Sequence, residues 1–171
     1  MQYQNTTTLD EAAYYGHLEV VELLLGSGAN SQVADDKKYT PLHNVSYQGH
    51  EKIVRALLKN NRANIDDRDG IDGFPALYLG MWTGNKETVH KLLEFEARLD
   101  VQDNDGWTPL MTATKRFPDY VQIFSQQSNG KAQLEIPDND SYTPLLEASR
   151  KSELEIASFL IGAGADCSAQ D

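Results

Sequence analysis

One unit repeats along this chain, and that repetition decides what it can fold into. With Leu9, Leu42, Leu77, Leu110 and Leu145 taken as equivalent, the intervals are 33, 35, 33 and 35 residues. Other landmarks keep the same step. Gly16, Gly49 and Gly84 each lie seven residues beyond their leucine, and Ala29, Ala63, Ala97, Ala132 and Ala165 open similar segments. Five copies take up nearly all of the 171 residues. A fixed period of this size marks an array of stacked supersecondary units, each of which cannot bury its apolar face alone.

The landmarks have separate physical reasons. Thr40, Thr108 and Thr143 each precede a proline. Threonine suits a helix N-cap, and proline suits the first turn, where no backbone N–H is needed. The glycine seven residues after the leucine fits the left-handed position that ends a helix. Further on, Val20/Val21/Leu23/Leu24, Ile53/Val54/Leu57/Leu58 and Val89/Leu92/Leu93 recur at the spacing of a buried helical face. Each unit therefore reads as two short antiparallel helices. Polar runs such as DDRDGIDG (66–73) and DNDG (103–106) supply turn chemistry between units, as a projecting hairpin-like connection requires.

This pattern resembles the ankyrin repeat family. The likeness is carried by Thr40-Pro41-Leu42-His43, by Gly16-His17 and Gly49-His50, and by the segments VVELLLGSGAN (20–30) and IGAGADCSAQD (161–171). The resemblance implies an all-α fold: a solenoid of five helix-turn-helix units joined by β-hairpin-like loops. We expect one domain over 1–171, with repeats at approximately 5–35, 36–69, 70–103, 104–138 and 139–171. With packed helices about 8–10 Å apart, five units give a surface of roughly 40–50 Å, which an extended peptide of about 12–15 residues would span.

Two candidate rows follow from the resemblance, which places the residue before the Thr-Pro pair on a hairpin arm facing a concave groove. Those residues are Tyr39, Phe74, Trp107 and Tyr142. The first helix ends on Tyr14, Tyr47 and Trp82, with Lys115 and Arg150 as the later counterparts and Arg116 and Lys151 beside them. Aromatics and arginine dominate binding hot spots, so the groove is expected to bind a protein or peptide. The hairpin rings suit binding and bracing of neighbouring hairpins equally well. The helix-end rings lean towards exposure, because Ala12/Ala13, Val45/Ser46 and Gly80/Met81 fill the buried positions. The four basic residues read as solvated, and they give the groove an aromatic-to-cationic polarity.

Charge and motif content argue against other classes. The formal charge is −11, with 15 basic against 26 acidic residues, a poor composition for neutralising nucleic-acid phosphates or an anionic membrane. Of 15 Asp, 11 fall in inter-repeat connections, which predicts an acidic rim that favours basic partners. The chain shows no apolar run of membrane-spanning length and no signal-peptide pattern. We expect an intracellular, cytoplasmic protein, with the nucleus also open. Cys167 is the single cysteine, which suits a reducing compartment. The three Asn-x-Ser/Thr sequons at Asn5, Asn44 and Asn139 read as chance matches.

Chemistry finds little support in the sequence. The resemblance gives His17, His43 and His50 hydrogen-bonding roles within and between repeats, and leaves His90 pointing to solvent. Cys167 has no histidine partner that the repeat would bring close. The Asp-rich QDNDGW run fails as a calcium loop, having Val101 at the first ligand position and Thr112 where the bidentate glutamate belongs. We therefore expect no enzyme activity, metal or cofactor. The leading class is an interaction module. The alternatives are a regulatory or substrate-recruiting segment of a larger enzyme or receptor, and an architectural spacer.

Departures from the pattern carry expectations of their own. The third unit opens on Phe74-Pro75, without a threonine cap and after a longer hairpin. The fourth has Phe117-Pro118 in the Gly-His place, Ser125-Gln126 near the expected leucine pair, and an SNGK loop at 128–131, making it the weakest link. LEIASFLI (154–161) lacks a polar outer face, so we expect a monomer capable of weak end-to-end self-association. The absent first Thr-Pro pair and the stop at Asp171 in mid-connection suggest a segment of a longer array.

Overall fold

The computed structural model describes residues 6–59, 63–125 and 133–168. The chain divides into two compact units, Met1–Arg98 and Leu99–Asp171. In the first unit the helices are α1 (Thr8–Tyr14), α2 (Leu18–Gly26), α3 (Pro41–Gln48), α4 (Glu51–Leu58), α5 (Ala76–Trp82) and α6 (Lys86–Glu94). The second unit contains α7 (Pro109–Arg116), α8 (Asp119–Ser125), α9 (Pro144–Arg150) and α10 (Leu154–Ala163). Among the described residues there is no strand; one isolated antiparallel bridge joins Arg68 and Pro75.

Helices pair within each repeat, and like packs on like between repeats. In the first unit α3 lies between α1 and α5, and α4 lies between α2 and α6. In the second unit α7 packs on α9 and α8 on α10. The buried leucines of the repeat, Leu9, Leu42 and Leu77 in one unit and Leu110 and Leu145 in the other, fill the seams together with Val21, Ile53, Leu57, Val89 and Leu92. Burial of this apolar face at successive seams is what holds such an array.

Helix ends follow the sequence signals. Thr108 Oγ1 accepts from the Met111 N–H and Thr143 Oγ1 from the Leu146 N–H, both at 3.3 Å. At α1, Thr7 and Asp10 cap each other, although no proline follows. Pro75 occupies the N-cap of α5 with no side-chain cap, as its sequence implies. Gly49 ends α3 at φ 82°, and Gly16 and Gly84 share that left-handed conformation.

Each hairpin is closed by one aspartate. The backbone N–H groups of Asp35, Asp69, Asp103 and Asp138 donate to the carbonyls of Tyr39, Phe74, Trp107 and Tyr142, at 2.9–3.0 Å. In return Asp35, Asp103 and Asp138 accept the N–H of the same aromatic through Oδ1. Asp69 collects instead the N–H groups of Ile71, Asp72 and Gly73, which accommodates the extra residue of that hairpin. Backbone bonds also tie successive hairpins, from Gly70 N–H to Lys37 O and from Asn139 N–H to Asp105 O.

The fourth repeat departs from the others at its turn. Phe117 ends α7 at φ −137°, outside the left-handed region used by the glycine-ended repeats. Its second helix is filled by Tyr120, Val121 and Phe124, all buried, with the Tyr120 and Phe124 rings stacked at 5.9 Å. Residues from Gln126 through the expected SNGK loop lie outside the described residues.

Candidate functional site

The hairpin row is built from the aspartate lock outward. Asp35, Asp103 and Asp138 fix both N–H and C=O of their aromatic, and Asp69 fixes the C=O of Phe74, so each ring's starting point is set by backbone bonds. His43 adds a second constraint in the first unit. Its Nδ1 accepts from the Thr40 N–H at 3.1 Å, which leaves the proton on Nε2, 3.0 Å from Asp67 O and 3.1 Å from Phe74 O. The histidine of one repeat thus holds the arm of the next. Burial keeps this imidazole below the ordinary histidine range, outweighing the opposing pull of Asp69, Asp67 and the two carbonyls.

Three of the hairpin rings reach along the first helix of their own repeat to the residue eight positions on. Phe74 stacks on Tyr78 at 5.0 Å and tilts against Trp82 at 6.5 Å. Lys115 places Nζ 3.4 Å from the Trp107 ring centre, with the Arg116 guanidinium at 5.8 Å. The Arg150 guanidinium lies 5.7 Å from the Tyr142 ring centre. Tyr39 packs against His43 at 5.5 Å and shares a cleft with Tyr47. The contacts thus pair 74/82 in the first unit and 107/115 and 142/150 in the second, while 39 and 47 line one cleft.

Exposure differs between the rows. Tyr39, Phe74, Trp107 and Tyr142 are half-buried. Tyr14, Tyr47 and Trp82 keep 39%, 48% and 48% of their surface. Lys115 corrects the expectation of plainly solvated charges, while Arg116, Arg150 and Lys151 are exposed. Lys115 is half-buried on Trp107, and burial holds its amine below the ordinary lysine range. Arg150 donates to buried Glu147 from both Nε and Nη2, at 3.0 and 2.8 Å, while Lys151 Nζ donates to Lys115 O at 2.9 Å. A buried carboxylate needs such partners, so these cations are recruited by Glu147 as well as by the rings.

The carbonyls behind the helix-end row are also covered. His50 Nε2 lies 3.2 Å from Tyr14 O, and Asn85 Nδ2 donates to Tyr47 O at 3.1 Å. Asn85 thus takes the histidine's place in the third repeat. His17 corrects its expected role: among the described residues it has no earlier first helix to bond, and its ring stacks on Tyr15 at 6.2 Å. His90 is exposed.

Several surface residues escaped sequence reasoning. Tyr15 is 64% exposed and meets Tyr14 edge-on at 5.2 Å. Ile71 stands exposed at a hairpin tip, and with Tyr14, Tyr39, Asn44 and Tyr47 it lines a cleft of about 310 Å³. Its signal was present in the isolated apolar residue of Asp-Gly-Ile-Asp-Gly. Among the described residues no three of His, Cys, Asp and Glu are arranged to hold a metal ion, and no helix is long and apolar enough to cross a membrane.

Helix pairs in register, glycine-ended first helices and aspartate-locked hairpins define a class of interaction repeat. The family model described as "Ankyrin repeats (3 copies)" matches residues 9–103 and again 77–171, and the chain belongs to the ankyrin repeat family. It is 36% identical over 125 residues to Ankyrin repeat and KH domain-containing protein mask-1 of Caenorhabditis elegans, covering 72% of this chain and 5% of that protein. Against Palmitoyltransferase AKR1 of Lachancea kluyveri it is 33% identical over 115 residues, 64% of this chain and 15% of the relative. Ankyrin repeat and SOCS box protein 3 of Bos taurus is 30% identical over 105 residues, 61% of this chain and 20% of that protein. The chain thus spans from 5% to 20% of the length of these relatives. Ankyrin repeats are protein-interaction modules.

Proposed function

We propose that this chain is a non-catalytic, intracellular protein-interaction module, a single ankyrin array that captures an extended protein segment along its hairpin rings and first-helix ends. The supporting observation is that Tyr47 and Trp82 stay 48% exposed near half-buried hairpin rings held by backbone locks, with Tyr14 39% exposed on the same row. Exposed aromatics on a rigid base bind at modest entropic cost. A spacer would have no use for three of them on one row.

The test is a Tyr47→Ala/Trp82→Ala variant, compared with the wild type for partners captured from a cell lysate. Hot-spot truncation costs about 2 kcal/mol or more in binding, whereas partly exposed side chains contribute little to folding. Partners should be lost while the melting temperature moves by only a few degrees. Retained partners, or a large drop in melting temperature, would refute the reading.

A second reading has one observation in its favour: the relatives are several times longer than this chain, and one is a palmitoyltransferase. On that reading the array recruits substrates or regulators for another domain of a longer protein. The chemistry of the groove is the same in both.

A further inference from the structure

We infer that the first unit carries a pocket for a lysine or arginine side chain of the bound segment, lined by Asp10, Glu11, Asp35, Tyr14, Tyr15 and Asn44. The inference rests on the peptide-groove reading and goes beyond it in naming what the partner presents. The cleft measures about 210 Å³, below the roughly 300–1,000 Å³ of small-molecule sites. It suits one long side chain.

Asp10, Glu11 and Asp35 all lie on the lining, and among the described residues no basic side chain joins them. Asp10 is 1% exposed, and its two oxygens are treated differently. Oδ2 accepts from the Thr7 N–H at 3.0 Å and the Thr7 hydroxyl at 2.6 Å. Oδ1 is buried and has no hydrogen-bond partner. An unpaired buried acceptor is costly, and a carboxylate oxygen more so. Burial pushes the Asp10 carboxyl above the ordinary range, with Asp35 and Glu11 adding repulsion against the help from Thr7. A cation entering the cleft relieves all three effects at once.

The rest of the lining fits an amphipathic cationic side chain. Tyr14 and Tyr15 offer ring surface for the methylene stem and for cation–π contact. Glu11 is exposed at the mouth, and Asp35 locks its hairpin through Oδ1. The adjoining cleft shares Tyr14, Asp35 and Asn44 and is walled by Tyr39, Tyr47 and Ile71; Lys37 lines only that second cleft. The bound segment therefore carries a basic residue with an apolar one nearby.

The experiment pans random dodecapeptides on the 171-residue chain and then makes the best peptide with its basic residue replaced by citrulline or norleucine. Selected peptides should share one fixed Arg or Lys. Its replacement should weaken binding to the wild type about tenfold, the scale of a close charge pair. On an Asp10→Asn/Glu11→Gln variant the same replacement should cost less than threefold. The asparagine can still accept from Thr7, and the peptide exchange on the wild type needs no variant to fold. Peptides selected without a fixed basic residue overturn this inference alone, as does an equal loss on the variant. A selection that yields no peptide defeats the peptide-groove reading and this inference with it.

Discussion

Replacing His43 with asparagine tests the device that carries one repeat's geometry to the next. Asparagine Oδ1 can take over from Nδ1 and accept the Thr40 N–H, so the start of α3 is kept. What is lost is the Nε2–H shared between Asp67 O and Phe74 O, at 3.0 and 3.1 Å. Phe74 O keeps the Asp69 N–H, so the lost donor at these part-buried acceptors and the trimming of a buried ring together cost about 2–3 kcal/mol. The pH dependence separates this cause from simple loss of packing. In the folded chain burial lowers the His43 pKa, even with Asp67 and Asp69 nearby. In the unfolded chain it titrates near 6.5. Below that pH the unfolded state binds more protons, so the histidine's contribution is complete above about pH 7 and falls as the solution becomes more acidic. One unit below 6.5 the loss reaches about 1.4 kcal/mol, provided the folded imidazole stays neutral. The assay is urea unfolding followed by far-ultraviolet circular dichroism at pH 7.5 and 5.5. The wild type should exceed His43→Asn by about 2–3 kcal/mol at pH 7.5, and by about 1.4 less at pH 5.5. A gap that is constant or wider at pH 5.5 would show that His43 is not a buried neutral donor, and the reasoning would fail.

Three further outcomes are expected. Gly49→Ala and Gly84→Ala place alanine at nearly the same backbone angle, φ 82° and 74°, at about 1–2 kcal/mol each. Only at Gly49 would the new Cβ sit 2.6 Å from Asn85 Oδ1 and disturb that side chain's bonds to Ser46 O and Tyr47 O, so its loss should be larger by about 1–2 kcal/mol in denaturant unfolding. Equal losses would count against a clamping role for Asn85. Asp10→Asn should raise the melting temperature of the free chain at pH 7, because the ionised carboxylate is disfavoured there, and the advantage should fade as acid carries the wild type below its raised pKa. A variant that melts lower at pH 7 would place the Thr7 bonds above the desolvation cost. The amides of α8, seven residues long and entered from Phe117 without a left-handed glycine, should exchange hydrogen faster than those of α4. Matching protection in the two helices would remove the weak-link argument.

Much of the scaffold was legible because single residues carried whole decisions. Thr-Pro fixed helix starts, glycine fixed first-helix ends, and the leucine step fixed which faces are buried. The side-chain contacts between repeats were less accessible, since they depend on distance in space. Nothing in the local pattern around Asn85 says that it will reach back to Tyr47 O as His50 reaches to Tyr14 O. The aspartates were legible as turn residues, yet their recurrence before each aromatic, at 35, 69, 103 and 138, already encoded the hairpin lock. Lys115 was misread as solvated because its seat on Trp107, within the field of buried Glu147, depends on packing that the repeat alone does not disclose; Arg150 stays exposed, and what the pattern hid there was its pairing with Glu147. Asp10 escaped notice for a related reason: it serves a helix cap through one oxygen, and that local role conceals the other.

The pairing of each hairpin ring with the residue eight positions later decides what that ring can offer a partner. Where the later residue is aromatic, as in Phe74 with Trp82, the pair adds apolar surface and leaves half of Trp82 uncovered. Where it is cationic, as in Trp107 with Lys115, the ring face already has an occupant 3.4 Å away. A partner group can stack on Trp107 only by displacing a lysine whose contact is worth about 0.5–2 kcal/mol, or it can bring an anion to the displaced charge. On the groove reading, the same aromatic hairpin position thus has opposite preferences at Phe74 and Trp107, although both carbonyls accept from the N–H of their hairpin aspartate. A single substitution at the later position, such as Lys115→Tyr, changes which chemistry the ring selects without touching the hairpin. On the proposed groove reading, specificity in such an array resides in the helix end, and the hairpin aromatic supplies the platform on which it acts.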